Sequence, residues 1–445
     1  MPSRPASPVP QAARQGPSFR AYTARNLHEI PQLAGRSEDD LLEMRAVAAV
    51  LPFRTNRHIT DELIDWDDAD DPIYRLTFPA PEMLDPADLA TMTKLLRDDA
   101  SPERVQAEAH DIRRRLNPHP GGQLSLNVPG GEHPIDGLQH KYHETVLFFP
   151  GPGQMCHAFC TYCFRWAQFV GEPDLRMACN DPQVLCGYLR RHPEVSDVLL
   201  TGGDPMIMRT EVLARFVEPL LEGGLDTVRT IRIGTKAISH WPYRFVTDPD
   251  ADELCRLFER VVGSGRQLAV MAHYSHPREL APAVAGEAVR RIRATGASIY
   301  AQAPLIRGIN DDPGTWTRLW RTGLDLGVVP YYMFVERDTG PRNYFEVPLA
   351  RGWQIFREAW SQMSGLGRTV KGPVMSATPG KVLVDGVTEV AGRKVFALRY
   401  VQARNPELVG RPFYAEFDPR ATWFDQLTPA FPEHRELFQP APVPA

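Results

Sequence analysis

The sequence predicts an α/β protein, a partial (β/α)6 barrel with an N-terminal helical section and a C-terminal extension. Three observations carry that prediction. Six short apolar or β-branched runs alternate with longer helical patterns through the middle of the chain, as expected of parallel strands joined by right-handed crossovers. A charged, helix-favouring stretch precedes them and ends in a Pro/Gly-rich connection. The 445 residues, 43% of them apolar, can bury a core of barrel size. Six units suit a partial barrel better than a closed one of eight.

In chain order, residues 1–20 are rich in Pro and Ala and too poor in apolar groups to offset ordering entropy, so they are expected to be disordered. Residues 21–135 form the helical section, which includes SPERVQAEAHDIRRRL and closes with NPHPGGQLSLNVPGG. Residues 136–350 form the core, with strands expected at VLFFP, DVLLTGG, TIRIGT, LAVMAHY, SIYAQAPLI and VVPYYMFV. The helices between and after them are expected at DPQVLCGYLRRH, EVLARFVEPLLE, DELCRLFERVVG, EAVRRIRAT, TWTRLWRTGLDLG and GWQIFREAWSQMSG. Residues 351–437 form the C-terminal section, and 438–445 are again expected to be disordered.

The loops after the strands should line one mouth, where a barrel of this kind places its chemistry. They carry a cysteine cluster, then Gly202-Gly203-Asp204, Gly234-Thr235-Lys236, His273 to His276, Gln302 to Gly308, and Glu336 to Gly340.

Charge and composition narrow the function. The formal net charge is −5 with acids and bases interspersed, so no basic face invites nucleic acid. There is no signal-like apolar stretch at the start and no run of about 18 apolar residues, so the expectation is a soluble cytoplasmic protein with no membrane partner. Six cysteines, three of them within eight residues, make a poor disulfide framework and ask for a metal.

That cluster is CHAFCTYCFRWAQFVG, with Cys156, Cys160 and Cys163 spaced C-x3-C-x2-C. Three thiolates can hold three irons of a [4Fe–4S] cluster and leave the fourth free for a small molecule. The alternative is structural zinc closed by Cys179, Cys186 or His157, and a third reading is chance clustering of buried thiols. Cys186 and Cys255 lie within helical patterns and read as core.

C-x3-C-x2-C followed by aromatics resembles the radical S-adenosylmethionine (SAM) enzymes. From LPFRTNRHITDELIDWDDADDPIYRLTFP to the PGK segment the chain is similar to the lysine 2,3-aminomutase family, through HKYHETVLFF, CTYCFR, LLTGGDP, RIGTK, HYSHP, AQAPLIRGIND and PYYMF in order. The resemblance implies a [4Fe–4S] cluster, SAM as the source of a 5′-deoxyadenosyl radical, and an electron donor such as flavodoxin or ferredoxin. It places Gly202, Gly203 and Asp204 near the SAM amino group, with His273 and Gln302 as further candidates for that pocket.

The same resemblance implies pyridoxal phosphate (PLP), carried on Lys381 in SATPGKV, with Tyr142 against its ring and Lys141 at its phosphate. Thr145 stands where the family has a second phosphate-binding arginine, and the glycine run before the lysine is cut to Pro379-Gly380. Arg165 falls at the arginine that grips the substrate α-carboxylate, a task its fork suits. The two aspartates that hold the ammonium of lysine correspond to Arg337 and Ser376, although Asp338 is adjacent and a one-residue slip restores an acid. An inward Arg337 would repel an ammonium and welcome an acidic or neutral side chain. The family's C-terminal zinc-type cysteines are missing, so a homo-oligomer would have to form without that metal.

The expectation is therefore a radical SAM isomerase moving the amino group of a free α-amino acid between C2 and C3. Two alternatives stand beside it: a PLP-independent relative performing epimerisation, desaturation or fragmentation, and a non-catalytic iron–sulfur or zinc-binding protein.

Overall fold

Six strands run parallel through the middle of the chain, each at one of the six apolar runs. They are β4 (Thr145–Phe148), β5 (Asp197–Leu200), β6 (Thr230–Thr235), β7 (Gln267–His273), β8 (Ser298–Leu305) and β9 (Val329–Val335). The structure is a computed structural model and describes residues 16–117, 127–130, 134–171 and 175–438. The expected disorder at 1–20 and 438–445, and part of the connection after Leu116, fall largely outside those residues.

The crossover helices are Pro182–Arg191, Thr210–Val217, Ala251–Gly263, Ala283–Ala294 and Pro313–Leu326, and Leu349–Ser361 follows β9. The first and the last of these five begin with a proline behind a capping aspartate. Asp181 accepts from the Gln183 amide and Asp312 from the Thr315 amide, which satisfies an otherwise orphaned donor in the first turn. Val198, Leu200, Ile231, Ile233, Val270 and Ile299 are fully buried between sheet and helices, which is why these strands read as unbroken apolar runs.

The sheet is longer than the sequence reading. It has eleven strands, and β10 (Lys371–Ser376) adds a seventh parallel member beside β9. Beyond it β11 (Gly380–Val390), β12 (Arg393–Ala403) and β13 (Pro412–Glu416) continue antiparallel. At the other edge β3 (Leu138–Tyr142) pairs antiparallel with β4. The two ends curl towards one another: Lys141 on β3 donates to Ser376 Oγ on β10 at 2.8 Å. Closure is by side chains, leaving a partial barrel.

The N-terminal section supplies a wall for the cysteine loop. A short ribbon of β1 (Ala21–Thr23) and β2 (Arg54–Asn56) accompanies helices Glu38–Val50, Pro72–Thr77, Pro86–Arg97 and Pro102–Leu116, capped by Ser37, Asp71, Asp85 and Ser101. Their core includes Ala158, Tyr162 and Trp166, with Cys160 and Cys163 packed against it. Among the described residues no helix is long and apolar enough to cross a membrane.

Candidate active site

The cysteine loop follows β4 and is pinned on two sides. The Phe159 amide donates to Arg54 O and the Thr161 amide to Leu76 O, while Thr161 Oγ1 reaches Arg75 O at 2.8 Å. On the other side the Asp204 amide donates to Gly153 O and Met155 O. The two glycines before it are required there: a Cβ on Gly203 would lie 2.5 Å from the Met155 nitrogen, and one on Gly202, at φ +140°, 2.1 Å from Gln154 Nε2. The GGD turn is thus the partner of the cysteine loop itself.

Cys156, Cys160 and Cys163 are free thiols close enough to influence one another. Burial pushes the Cys156 thiol far up and that of Cys160 to about 12, and raises Cys163 as well. A thiolate in this loop therefore needs a bound cation's charge to exist at neutral pH. Ligands of one tetrahedral zinc stand about 3.8 Å apart. Among the described residues the sole group of three or more ligand atoms all within 4.8 Å of one another is His140, His192 and Glu194, so the cysteines are spread more widely than one ion asks. Cys186 is 1% exposed in the sheet–helix core, apart from the wall that Cys160 and Cys163 pack against, and Cys179 gives its thiol to Asp181 O. The donor set fits an open multi-iron cluster. The histidine group needs no ion, since His140 is engaged by the Tyr188 hydroxyl at 2.7 Å and by His143 O at 3.0 Å.

Asp204 is 2% exposed and holds the next loop in place. It accepts from Thr235 Oγ1 and from the Met206, Lys236 and Ala237 amides, all within 2.9 Å. Lys236 in turn pairs with the fully buried Glu279 at 2.6 Å and donates to His273 O at 3.3 Å. Its ammonium eases the thiolate of Cys160. His273, at the end of β7, stands in register beside Gln302 within β8, and burial holds His273 near 4, uncharged at neutral pH. The sequence reading took Lys236 only as a loop residue and missed Glu279, although GTK followed by a glutamate after HYSHP was visible.

Lys381, the second residue of β11, is 8% exposed. Its Nζ lies 4.4 Å from the Tyr332 ring centre, 5.1 Å from Tyr142 and 5.6 Å from Phe334, and donates to Gln402 Oε1 at 2.7 Å. Burial first, then the charges of Arg232 and Lys141, push its pKa well below the usual lysine range. That shift favours the free-base amine, the form that attacks a carbonyl. Ser376 faces Lys381 across the β10–β11 pair and takes the hydrogen bond of Lys141, whose pKa falls to about 7 through burial and the nearby Arg337 and Arg165. Thr145 donates to Asp197 at 3.1 Å, and Asp197 is held by both arms of Arg232. That interior pair was not predicted; a lone arginine within the apolar run TIRIGT was its signal.

Arg165 lies half-buried with its guanidinium 4.2 Å over the Phe149 ring, and burial lowers its pKa to about 10. Among the described residues no carboxylate lies within ion-pair distance of it. Arg337 feels Tyr142 and acts on both Arg165 and Lys141, so it faces the same space. Asp338 turns back on Arg337 at 3.7 Å. The structure brings together Lys141, Tyr142, Arg165, Arg337, Ser376 and Lys381, a lysine amine in an aromatic box beside three clustered basic side chains.

Fold and site together define an α/β barrel protein with three cysteines in one loop at its mouth and a buried lysine within. No protein-family model matches the chain. It is 32% identical over 409 residues, 92% of its length and 95% of the relative's, to a protein of Aquifex aeolicus (strain VF5) assigned as an L-lysine 2,3-aminomutase. It is 25% identical over 284 residues, 64% of this chain and 61% of the relative, to the glutamate 2,3-aminomutase of Clostridioides difficile (strain 630). The chain belongs to the lysine 2,3-aminomutase family. A solved structure of a radical SAM methyltransferase from Sphaerobacter thermophilus aligns over 66% of this chain and 94% of its own, at 16% identity and a TM-score of 0.39.

Proposed function

We propose that this protein is a radical SAM isomerase that moves the amino group of a free α-amino acid between C2 and C3, the side chain of that substrate being acidic or neutral. The observation that carries the substrate class is the convergence of Arg165, Arg337 and Lys141 on the space beside Lys381, with Asp338 as the acid paired to Arg337. Such a pocket favours anions and opposes a second ammonium.

In this reading Cys156, Cys160 and Cys163 hold the [4Fe–4S] cluster that the family implies, and Lys381, Tyr142 and Lys141 hold PLP. The cluster with SAM supplies a hydrogen-abstracting radical, and PLP supplies a carbonyl carbon that can carry the migrating nitrogen. The chain's own residues do the rest. Lys381 offers an amine whose charged form is disfavoured by burial. Lys141 and Ser376 form a donor pair suited to a phosphate, and Arg165 takes the α-carboxylate in its fork, fixing the substrate's orientation. Arg337 meets the distal group. Thr145 serves the Asp197–Arg232 pair, so the place of the family's second phosphate-binding arginine is not filled by it.

The test is chemical trapping. Borohydride reduction of the anaerobically purified protein should leave a pyridoxyl group on the peptide containing Lys381, and none in Lys381→Ala. An active enzyme lacking any such adduct would favour the PLP-independent alternative.

A further inference from the structure

The amine of Lys381 is held at an irregular point in the sheet. Lys381 faces Gln402 and the next residue, Val382, faces Tyr400, so β12 carries one extra residue, Val401, in between. A bulge of this kind re-aims the side chains beside it. Gly380 lets the strands close in: a Cβ there would stand 2.3 Å from the Gln402 carbonyl oxygen and 3.1 Å from Ala403 Cα. With the backbones so near, Gln402 Oε1 reaches Nζ at 2.7 Å, while the aromatic rings of Tyr332, Tyr142 and Phe334 surround it. The acid nearest in influence, Asp197, is already spent on Arg232.

We propose that Gln402 is the positioning residue of Lys381: its side-chain oxygen fixes the amine over the Tyr332 ring and gives it a neutral acceptor to return to whenever a substrate amine takes its place on the cofactor. The proposal rests on reading Lys381 as the cofactor lysine. A neutral acceptor matters because a carboxylate in the same place would favour an ammonium, which has no lone pair to attack with. Gly380, the remnant of the shortened glycine run, is then retained because it lets β12 approach.

The experiment is competitive acetylation of the full-length protein across pH 5 to 10, with each lysine read by peptide mass spectrometry, followed by borohydride trapping with added PLP. Wild-type Lys381 should be half-labelled at lower pH than the exposed Lys94. Gln402→Glu should raise that midpoint by about one unit, a roughly 10-fold loss of labelling at pH values below the wild-type midpoint. Gln402→Leu keeps the bulk and should leave the midpoint low, yet slow pyridoxyl trapping several-fold. A midpoint of Lys381 in folded Gln402→Glu unchanged from wild type, or trapping at the wild-type rate in Gln402→Leu, would overturn the proposal. If wild type gives no pyridoxyl adduct while the labelling shift persists, the cofactor assignment fails and the Gln402–Lys381 coupling stands.

Discussion

Asp204→Asn should loosen the loops around the cysteines without unfolding the barrel. Oδ1 of Asp204 accepts from the Met206 amide and Thr235 Oγ1, and Oδ2 accepts from Thr235 Oγ1 and the Lys236 and Ala237 amides. At 2% exposure no solvent stands ready to replace it. An amide group has the same shape and one oxygen. With its NH2 at the Oδ2 position, the Lys236 and Ala237 amides lose their acceptor and face a donor. If it flips, the Met206 amide is orphaned instead. Each buried orphan costs about 1–3 kcal/mol. The flipped orientation, with one orphan, is the cheaper, so the cost is about 1–3 kcal/mol, or about 5-fold to 150-fold in the local opening constant. Hydrogen exchange read on peptides covering 203–208 and 234–238 measures that opening. Because Gly203 packs on Met155, the loop carrying Cys156 should exchange faster too. Protection at both peptides within two-fold of wild type would refute the view that this carboxylate ties the two loops.

Three further outcomes follow from the site. Cys163→Ala should abolish both the iron–sulfur absorbance and 5′-deoxyadenosine formation, read by anaerobic spectroscopy and chromatography, whereas Cys179→Ala should leave both intact. Lys141 is mostly neutral at pH 8, being depressed to about 7 by burial and its cationic neighbours, and a bound phosphate group favours its charged form. Loading PLP at pH 8 should therefore take up close to one proton at Lys141, and that share of the affinity should fall as pH rises from 7 to 9. Calorimetry in buffers of different ionisation enthalpy reads this, and Lys141→Met should take up about one proton less than wild type. Glu279→Gln strips the buried counter-ion from Lys236 and should cost about 3–5 kcal/mol, seen as a lower urea midpoint with an unchanged slope.

The parallel strands and their helices were legible because each strand is buried on both faces and each crossover helix repeats every three or four residues. The strands after β9 were not read. In β12 the buried Phe396, Leu398 and Tyr400 alternate with the less buried Ala397 and Arg399, in β11 Val382, Leu383 and Val384 form a short buried run, and the two-residue Ala391-Gly392 turn, with φ of 51° and 73°, was the hairpin signal. The cysteine cluster stood out by its spacing, whereas the GGD turn and Lys381 were singled out through the family resemblance. The partners that tune them were not. Gln402 lies 21 residues from Lys381 and Glu279 lies 43 from Lys236, and only strand register and loop packing bring them together.

The central claim is the substrate class, and one incubation tests it most directly. Reconstituted protein, SAM and a strong reductant are given carbon-13 glutamate, aspartate, glutamine, alanine and lysine in equal amounts, and β-amino acid products are read by NMR. The account predicts a β-isomer from an acidic or neutral member of the pool and little or none from lysine, with the preference weakened in Arg337→Ala. Efficient β-lysine formation that survives Arg337→Ala and disappears in Asp338→Ala would contradict it.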